Sequence, residues 1–174
     1  ETLREARHRI RIKTEPLPAV FDPLESDEEF ASYEVSRGDA ATAMAEAKLV
    51  VQGEYRVGHQ EQLYIENQAM IAEPRDDGGI TITGSMQCPY YVHDALKRAL
   101  ALSDEQAVIT QAETGGGFGG KEDYPSVVAV HAALLAQRVG KPVRMIYDRH
   151  EDIISTTKRH PAIERPLMWT LGHS

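Results

Sequence analysis

The sequence has few of the residues that several common classes of protein need. It contains one cysteine, Cys88, so neither an internal disulfide nor an iron–sulfur cluster held by four cysteine thiolates can form within it. No apolar run approaches the roughly 20 residues that a membrane-spanning helix requires. Scarce cysteine is typical of a reducing compartment, so we expect a cytoplasmic protein without a membrane segment.

Basic residues are too few for a nucleic-acid-binding surface. The 174 residues include 19 Lys and Arg against 27 Asp and Glu, which gives a net charge of -8. Contacts to phosphates need clustered Lys and Arg. The one basic cluster, in residues 4–13, is followed by an acidic segment, so we interpret it as a solvated surface. No nucleic-acid partner is predicted.

Turn residues and alternating apolar residues predict several short strands. Residues 68–73 and 80–85 flank the turn Asp76-Asp77-Gly78-Gly79, whose residues adopt positive φ at low cost, so these segments are predicted to form a β-hairpin. The same patterns predict further strands over residues 9–13, 49–57, 107–111 and 143–147.

Apolar residues at helical spacing predict three helices, and together with the strands they indicate an α+β fold. Asp39 can cap a short helix that runs through about Ala47. A second helix has Pro89 in its first turn, and a third ends near Gly140. The third helix is predicted to bury one face, formed by Val127, Val130, His131, Leu134 and Leu135.

A glycine-rich loop, residues 115–122, is the most informative segment. Five glycines surround Phe118, which suits a backbone that approaches a ligand closely or adopts positive φ. A tight turn between a strand and a helix is the structural alternative. A dinucleotide-binding loop requires an acidic residue about 20 positions later, and residues 137–141 contain none. A phosphate-binding P-loop requires Ser or Thr at the position of Glu122. Neither nucleotide motif is therefore complete.

The loop Gly115–Glu122 resembles the molybdenum-site loop of the xanthine dehydrogenase/aldehyde oxidase family. Other segments resemble that family in the same order and spacing, and the resemblance covers about residues 10–163. These segments are residues 15–20, 58–66, 85–87, 140–144, 147–152 and 159–161. Several motifs in the right order are more specific than any single one.

The resemblance implies a partial molybdopterin-binding domain of a xanthine dehydrogenase-like large subunit. It places the tail end of a small α/β domain in residues 1–24 and a connector with a short helix in residues 25–48. The first part of the molybdenum-cofactor-binding domain would be residues 49–163. Residues 164–174 do not continue the family pattern, and we expect a divergent or truncated end there.

The resemblance also implies a cofactor site. In the family, the residues that match Gln87 and Phe118 lie at the metal. By this resemblance, the Gln87 amide would donate a hydrogen bond to an oxygen ligand of molybdenum. The backbone of Gly117, Phe118 and Gly119 would line the cofactor, which is molybdopterin or its cytosine dinucleotide form. Glu122 would orient the substrate.

Each of these assignments has a structural alternative. Gln87 could be a surface residue at the end of a strand, Phe118 could pack in the core, and Glu122 could start a helix, where the helix dipole favours a carboxylate. Lys121 is expected to be a solvated or paired charge, and Glu66 a structural carboxylate.

The reaction implied is hydroxylation of a heterocycle or aldehyde with water as the oxygen donor. It releases two electrons, and with Cys88 alone this chain cannot hold iron–sulfur clusters, so those clusters and a flavin are expected on partner subunits or domains. The family's general base lies further downstream in the remainder of the molybdenum subunit. We therefore expect these 174 residues to form one wall of the site and to show no turnover unaided. The alternative is a non-catalytic remnant, or a partner-binding module without a cofactor.

Overall fold

The computed structural model describes residues 2–170, and the chain divides into two units. The first comprises residues 1–53 with 166–174, and the second comprises residues 54–165. Regular structure before residue 50 consists of α1 (Thr2–Arg7), a 3₁₀ turn (Pro23–Glu25) and α2 (Ala40–Glu46).

The capped helix predicted after Asp39 is confirmed. The Asp39 carboxylate accepts a hydrogen bond from the Thr42 N–H at 2.9 Å, which satisfies one of the free donors in the first turn of α2. The strand predicted over residues 9–13 is wrong. Ile10 and Ile12 are 68% and 81% exposed, and no neighbouring strand pairs with them within the described residues. Alternation produces a strand only where another strand accepts its hydrogen bonds.

Strands β1 (Val50–Val57) and β6 (Ala162–Thr170) pair in a two-stranded sheet. The prediction of a strand over residues 49–57 is confirmed. β6 extends through most of the segment in which we expected a divergent end, and residues 171–174 of that segment lie outside the described residues.

The second unit is built on a four-stranded sheet in the order β4-β3-β2-β5. The predicted hairpin is confirmed, because β2 and β3 are antiparallel, with Met70 opposite Gly84 and Pro74 opposite Ile80. β3 and β4 are parallel and are connected through α3, while β5 is antiparallel to β2. The elements are β2 (Ala69–Pro74), β3 (Ile80–Gly84), α3 (Pro89–Leu100), β4 (Ala107–Gln111), α4 (Tyr124–Val139), β5 (Val143–Ile146) and α5 (Arg149–Ser155).

One face of this sheet carries the core. Alternate strand residues, including Met70, Ala72, Ile80 and Ile82, are at most 1% exposed, and they pack with buried residues of α3 and α4. The opposite face carries Ile71 and Ile146, which remain partly exposed. Burial of one face fixes the register of the hairpin, because a shift by one residue would turn every core side chain outward.

Helix α4 ends where predicted, but of its predicted buried face only Val130 packs against the core, and it is partly buried. Apart from Pro125 in the first turn, its fully buried residues are Val128, Ala129, Ala132, Ala133 and Ala136, most of them alanine. The larger residues Val127, Leu134 and Leu135 are each more than 40% exposed. Alanines allow α4 to lie close to the sheet and to α3, where leucines would overpack the core.

Two proline and glycine signals on the helices are confirmed. Pro89 occupies the first turn of α3, and Gly140 ends α4 in the left-handed conformation with φ of 62°. None of the helices in residues 2–170 combines the length and the apolar composition that crossing a bilayer requires.

Candidate functional site

Two neighbouring loops leave the sheet at the same edge. β3 and β4 are parallel neighbours, so the segments that follow Gly84 and Gln111 begin side by side, where α/β sheets commonly bind ligands. Side-chain bonds join the two segments. The amide of Gln111 donates to the carbonyl oxygen of Met86 at 2.6 Å, and the Thr114 hydroxyl donates to the same oxygen at 3.3 Å. The loop after β3 therefore lies against the glycine-rich loop after β4.

Gln87 is held by the glycine-rich loop through three hydrogen bonds. Its side-chain Oε1 accepts from the main-chain N–H groups of Gly119 at 3.0 Å and Lys121 at 3.1 Å. Its own N–H donates to the Lys121 carbonyl oxygen at 2.7 Å. Two N–H donors can converge only on an acceptor, so the atom they contact is the amide oxygen. The Nε2 group, with two N–H donors, is left free of protein acceptors in the described part of the chain.

The loop backbone adopts left-handed conformations at three of four successive residues. Gly116 and Gly119 have φ of 98° and 90°, and Phe118 has φ of 51°. Glycine adopts such angles freely, whereas a non-glycine residue held there costs on the order of 1 kcal/mol or more and commonly marks a functional site. Phe118 is 74% exposed, so the core-packing alternative for this residue is wrong.

The main chain of the loop offers hydrogen-bond donors. Within residues 2–170, no acceptor is found for the N–H groups of Gly117 and Phe118. Backbone N–H groups without an acceptor, in a loop that contains left-handed residues, suit the binding of electron-rich groups. Gly117 also lies against Gln87: a Cβ atom at this position would lie 2.3 Å from Gln87 Oε1. The close approach requires glycine.

Lys121 and Glu66 form an ion pair below the loop. The Lys121 ammonium is fully buried, and it donates to Glu66 Oε2 at 2.8 Å and to the Ser85 hydroxyl at 3.1 Å. The same Glu66 oxygen accepts from the Gly115 N–H at 2.8 Å. We predicted that Lys121 is either solvated or paired. The structure shows that it is paired and is not solvated. Glu66 is a structural carboxylate, as predicted.

The surroundings of Glu66 favour its ionised form. Burial alone would raise its pKa, but hydrogen bonds from the Lys121 ammonium, the Ser85 hydroxyl and the Gly115 N–H outweigh that effect and lower the pKa to about 2. The Glu66 side chain is 41% exposed, so solvent screens part of this stabilisation.

Acid is expected to weaken this ion pair within a defined pH range. Because the folded-state pKa of Glu66 lies below its ordinary value of 4.5, its contribution to stability is complete above about pH 4.5 and is lost as the pH falls towards 2. After allowance for solvent screening, we expect a loss of about 1 kcal/mol. Thermal melting of the protein and of Glu66→Gln between pH 6 and 2 measures it: the difference in melting temperature should narrow below pH 4.5. A constant difference would contradict the assignment.

A buried hydrogen-bond network contacts the glycine-rich loop at Gly120. The Tyr64 hydroxyl donates to Asp152 Oδ1 at 2.6 Å and accepts from the Gln68 amide at 3.0 Å. The Gln68 amide also donates to the Gly120 carbonyl oxygen at 2.9 Å, and Asp152 accepts from the Gln68 N–H at 2.7 Å. Burial, followed by the neighbouring Asp152 carboxylate, raises the pKa of Tyr64 to about 12. This network was not predicted, because its members are spread over nearly 90 residues.

The structure brings most of the predicted site residues together. Gln87, Gly117, Phe118 and Gly119 lie in one assembly, joined by the contacts described above. Glu122 directly follows Lys121, and its side chain is exposed, with no hydrogen bond to another residue in the described range. It precedes α4, which begins at Tyr124 and has Asp123 as its N-cap residue.

Comparison with known proteins identifies the family. The sequence profile of the molybdopterin cofactor-binding domain matches residues 22–165. This chain belongs to that family. The resemblance to the xanthine dehydrogenase/aldehyde oxidase family is confirmed by curated relatives. The xanthine dehydrogenase of Drosophila subobscura is 36% identical over 158 residues, and the xanthine dehydrogenase/oxidase of Rattus norvegicus is 33% identical over 170 residues.

These matches cover nearly all of this chain but a small part of the relatives. The aligned residues are 87% of this chain and 12% of the Drosophila protein, and 95% of this chain and 13% of the rat protein. Among solved structures, the aldehyde oxidoreductase of Desulfovibrio gigas superposes with a TM-score of 0.76 at 24% identity, over 91% of this chain and 19% of that one. The α+β fold of a molybdopterin-binding domain is therefore confirmed.

Proposed function

We propose that this domain forms one wall of the cofactor and substrate site of a molybdenum hydroxylase. The observation that carries the proposal is the orientation of Gln87. Its oxygen is occupied by the N–H groups of Gly119 and Lys121, so its Nε2 is available to donate to an acceptor of the bound molybdenum centre. The family match assigns the chain to a domain type named for this cofactor, which supports the choice of ligand.

The residues present fit a molybdenum–pterin group. The wall offers neutral donors, namely the Gln87 amide and the N–H groups of Gly117 and Phe118, which suit an electron-rich ligand. The Gly119 backbone adds space, because a Cβ there would meet nothing within 4 Å. When bound, this group supplies two-electron redox chemistry for hydroxylation with water as the oxygen donor.

The protein residues bind and orient rather than transfer electrons. Gln87 and Phe118 would lie at the metal and Gly117, Phe118 and Gly119 would line the cofactor, where the exposed ring of Phe118 would shield the site from water. The exposed Glu122 carboxylate orients a ring nitrogen or carbonyl group of the substrate. Both proposed roles of Phe118, at the metal and in excluding water, are compatible with the exposed position of its side chain.

The complete enzyme requires more than this domain. We propose molybdopterin or its cytosine dinucleotide form as the cofactor, with iron–sulfur clusters and flavin on partner subunits or domains, because Cys88 is the only cysteine here. The remainder of the molybdenum subunit supplies the general base. A cytoplasmic location suits the cysteine content. The division into residues 1–24, 25–48, 49–163 and 164–174 remains a prediction.

Cofactor content and isotope transfer test the proposal. The full protein that carries this domain is purified from cells supplied with molybdate, and its molybdenum and pterin are quantified. We expect close to one of each per domain. Incubation with aldehydes or N-heterocycles, an artificial electron acceptor and ¹⁸O-labelled water should place the label in the product.

The control is the 174-residue chain alone, which should show no turnover. Folded full protein that contains neither molybdenum nor pterin would overturn the proposal and favour a module without a cofactor. Product oxygen derived from O₂ instead of water would contradict the hydroxylation mechanism.

A further inference from the structure

Lys121 is buried in a way that lysine seldom is. Its side chain is 0% exposed, and its ammonium lies between Glu66 Oε2 and the Ser85 hydroxyl, 4.9 Å from the centre of the Tyr64 ring. An ammonium is costly to bury and is retained in the interior only with close partners. The solvated lysine that the sequence allowed would avoid this cost, so the burial calls for a reason.

The main chain of Lys121 supplies two of the three hydrogen bonds that hold Gln87. Its N–H donates to Gln87 Oε1, and its carbonyl oxygen accepts from the Gln87 N–H. The side chain of Lys121 extends in the other direction, to Glu66 and Ser85. The buried side chain thus anchors the residue whose backbone sets the direction of the Gln87 amide.

Glu66 connects the two ends of the glycine-rich loop. One carboxylate oxygen accepts from the Gly115 N–H at the start of the loop and from the Lys121 ammonium at its end. The Glu66 N–H also donates to the Gly115 carbonyl oxygen at 3.2 Å. Between these two points lie the left-handed residues Gly116, Phe118 and Gly119, which no regular secondary structure stabilises.

We propose that Lys121 is a positioning residue for the cofactor site, a role that rests on the proposed function. Its ion pair with Glu66 fixes the distance across the glycine-rich loop, and its own N–H and carbonyl groups fix the direction of the Gln87 side chain. Because its side chain is fully buried, Lys121 would not contact the cofactor directly. It acts through Gln87, in the way that residues behind a metal ligand orient that ligand.

Lys121→Met tests the role because methionine fills a similar volume without the charge. Glu66 keeps its contact with Gly115 and its exposure to solvent, so the variant leaves no buried charge without a partner. In the molybdenum-loaded full protein, we expect kcat per bound molybdenum to fall about 10- to 100-fold with KM changed less than about threefold. The Mo(V) electron paramagnetic resonance spectrum should shift, because the hydrogen bond from Gln87 is misdirected.

Lys158→Met is the matched control. Lys158 is paired with Glu61 at 2.8 Å, with both side chains less than 25% exposed, and neither residue contacts the glycine-rich loop through a hydrogen bond in the described residues. We expect this variant to lose stability without a shift in the spectrum or in kcat. Equal values for the protein and Lys121→Met, or equal changes in both variants, would overturn the positioning role.

Two further measurements distinguish a failure of the positioning role from a failure to fold and from a failure of the proposed function. If Lys121→Met does not fold, Ser85→Ala, which removes the hydroxyl contacts with Lys121 and Glu66 and keeps the ion pair, should shift the spectrum in the same direction. If the unaltered protein binds no molybdenum, the proposed function fails. Hydrogen exchange at the Gly119 and Lys121 N–H groups then decides the positioning role, which requires faster exchange in Lys121→Met than in Lys158→Met.

Discussion

Replacement of Gly117 by alanine is expected to disable the proposed cofactor site while the fold survives. The new Cβ would lie 2.3 Å from Gln87 Oε1 and 2.7 Å from Gln87 Cδ. These atoms are at the end of a flexible side chain, so the amide moves away and loses its bonds from the Gly119 and Lys121 N–H groups. Loss of two hydrogen bonds costs about 1–2 kcal/mol of folding stability. Loss of the oriented amide should lower molybdenum occupancy or kcat about 10- to 100-fold.

A double-mutant cycle identifies whether the effect passes through Gln87. Gln87→Ala alone should reduce occupancy or kcat to a similar extent, and Gly117→Ala added to it should cause little further loss. Gly58→Ala is the matched control, because its Cβ would meet nothing within 4 Å and its φ is not positive. Additive losses in the double variant would show that Gly117 acts on the site independently of Gln87.

The same substitution three residues later is expected to damage the fold instead. A Cβ at Gly120 would lie 2.5 Å from Tyr64 Cε1 and 3.1 Å from Tyr64 Cδ1. The ring cannot move aside, because Tyr64 is 1% exposed and its hydroxyl is bonded to Asp152 and Gln68. We expect Gly120→Ala to cost about 3 kcal/mol through overpacking, a fall in melting temperature of roughly 10 °C.

Shortening the obstructing side chain should relieve part of that cost. Tyr64→Leu is itself destabilising, since it removes the ring and the donor to Asp152. In combination with Gly120→Ala, the total loss should be smaller than the sum of the single losses by about 1 kcal/mol or more. Melting temperatures of the four proteins measure this coupling. Strict additivity would mean that alanine at 120 is accommodated without contact with the tyrosine.

The sequence predicted the parts of the fold that depend on short segments. The hairpin followed from the turn at residues 76–79, and α3 from Pro89 and helical spacing, because turn and cap chemistry acts over a few residues. The glycine-rich loop was located by its motif. The family resemblance predicted that this loop and Gln87 face the same site, and the parallel pairing of β3 and β4 brings the two segments together.

The failures involve contacts that local patterns do not encode. Helical spacing marked Leu134 and Leu135 as core, but packing density at the sheet favoured the alanines of α4. The alternating segment at residues 9–13 lacks a partner strand among the described residues. Glu66 was recognised as structural, yet its bond to Lys121 joins residues 55 positions apart, and nothing in either neighbourhood indicates it.

The hydrogen bonds from the main chain to Gln87 Oε1 orient its amide without a ligand, so that its Nε2 donor is the free end. A glutamate at this position could satisfy the same two N–H groups with one oxygen, but its second oxygen would present negative charge where the amide presents hydrogen. Rotation of the amide by half a turn would set two N–H groups against the Gly119 and Lys121 donors, so the backbone forbids inversion. If the proposed cofactor site is correct, its preference for ligands that accept hydrogen bonds would be set by the Gly119 and Lys121 backbone, through the orientation of the Gln87 amide.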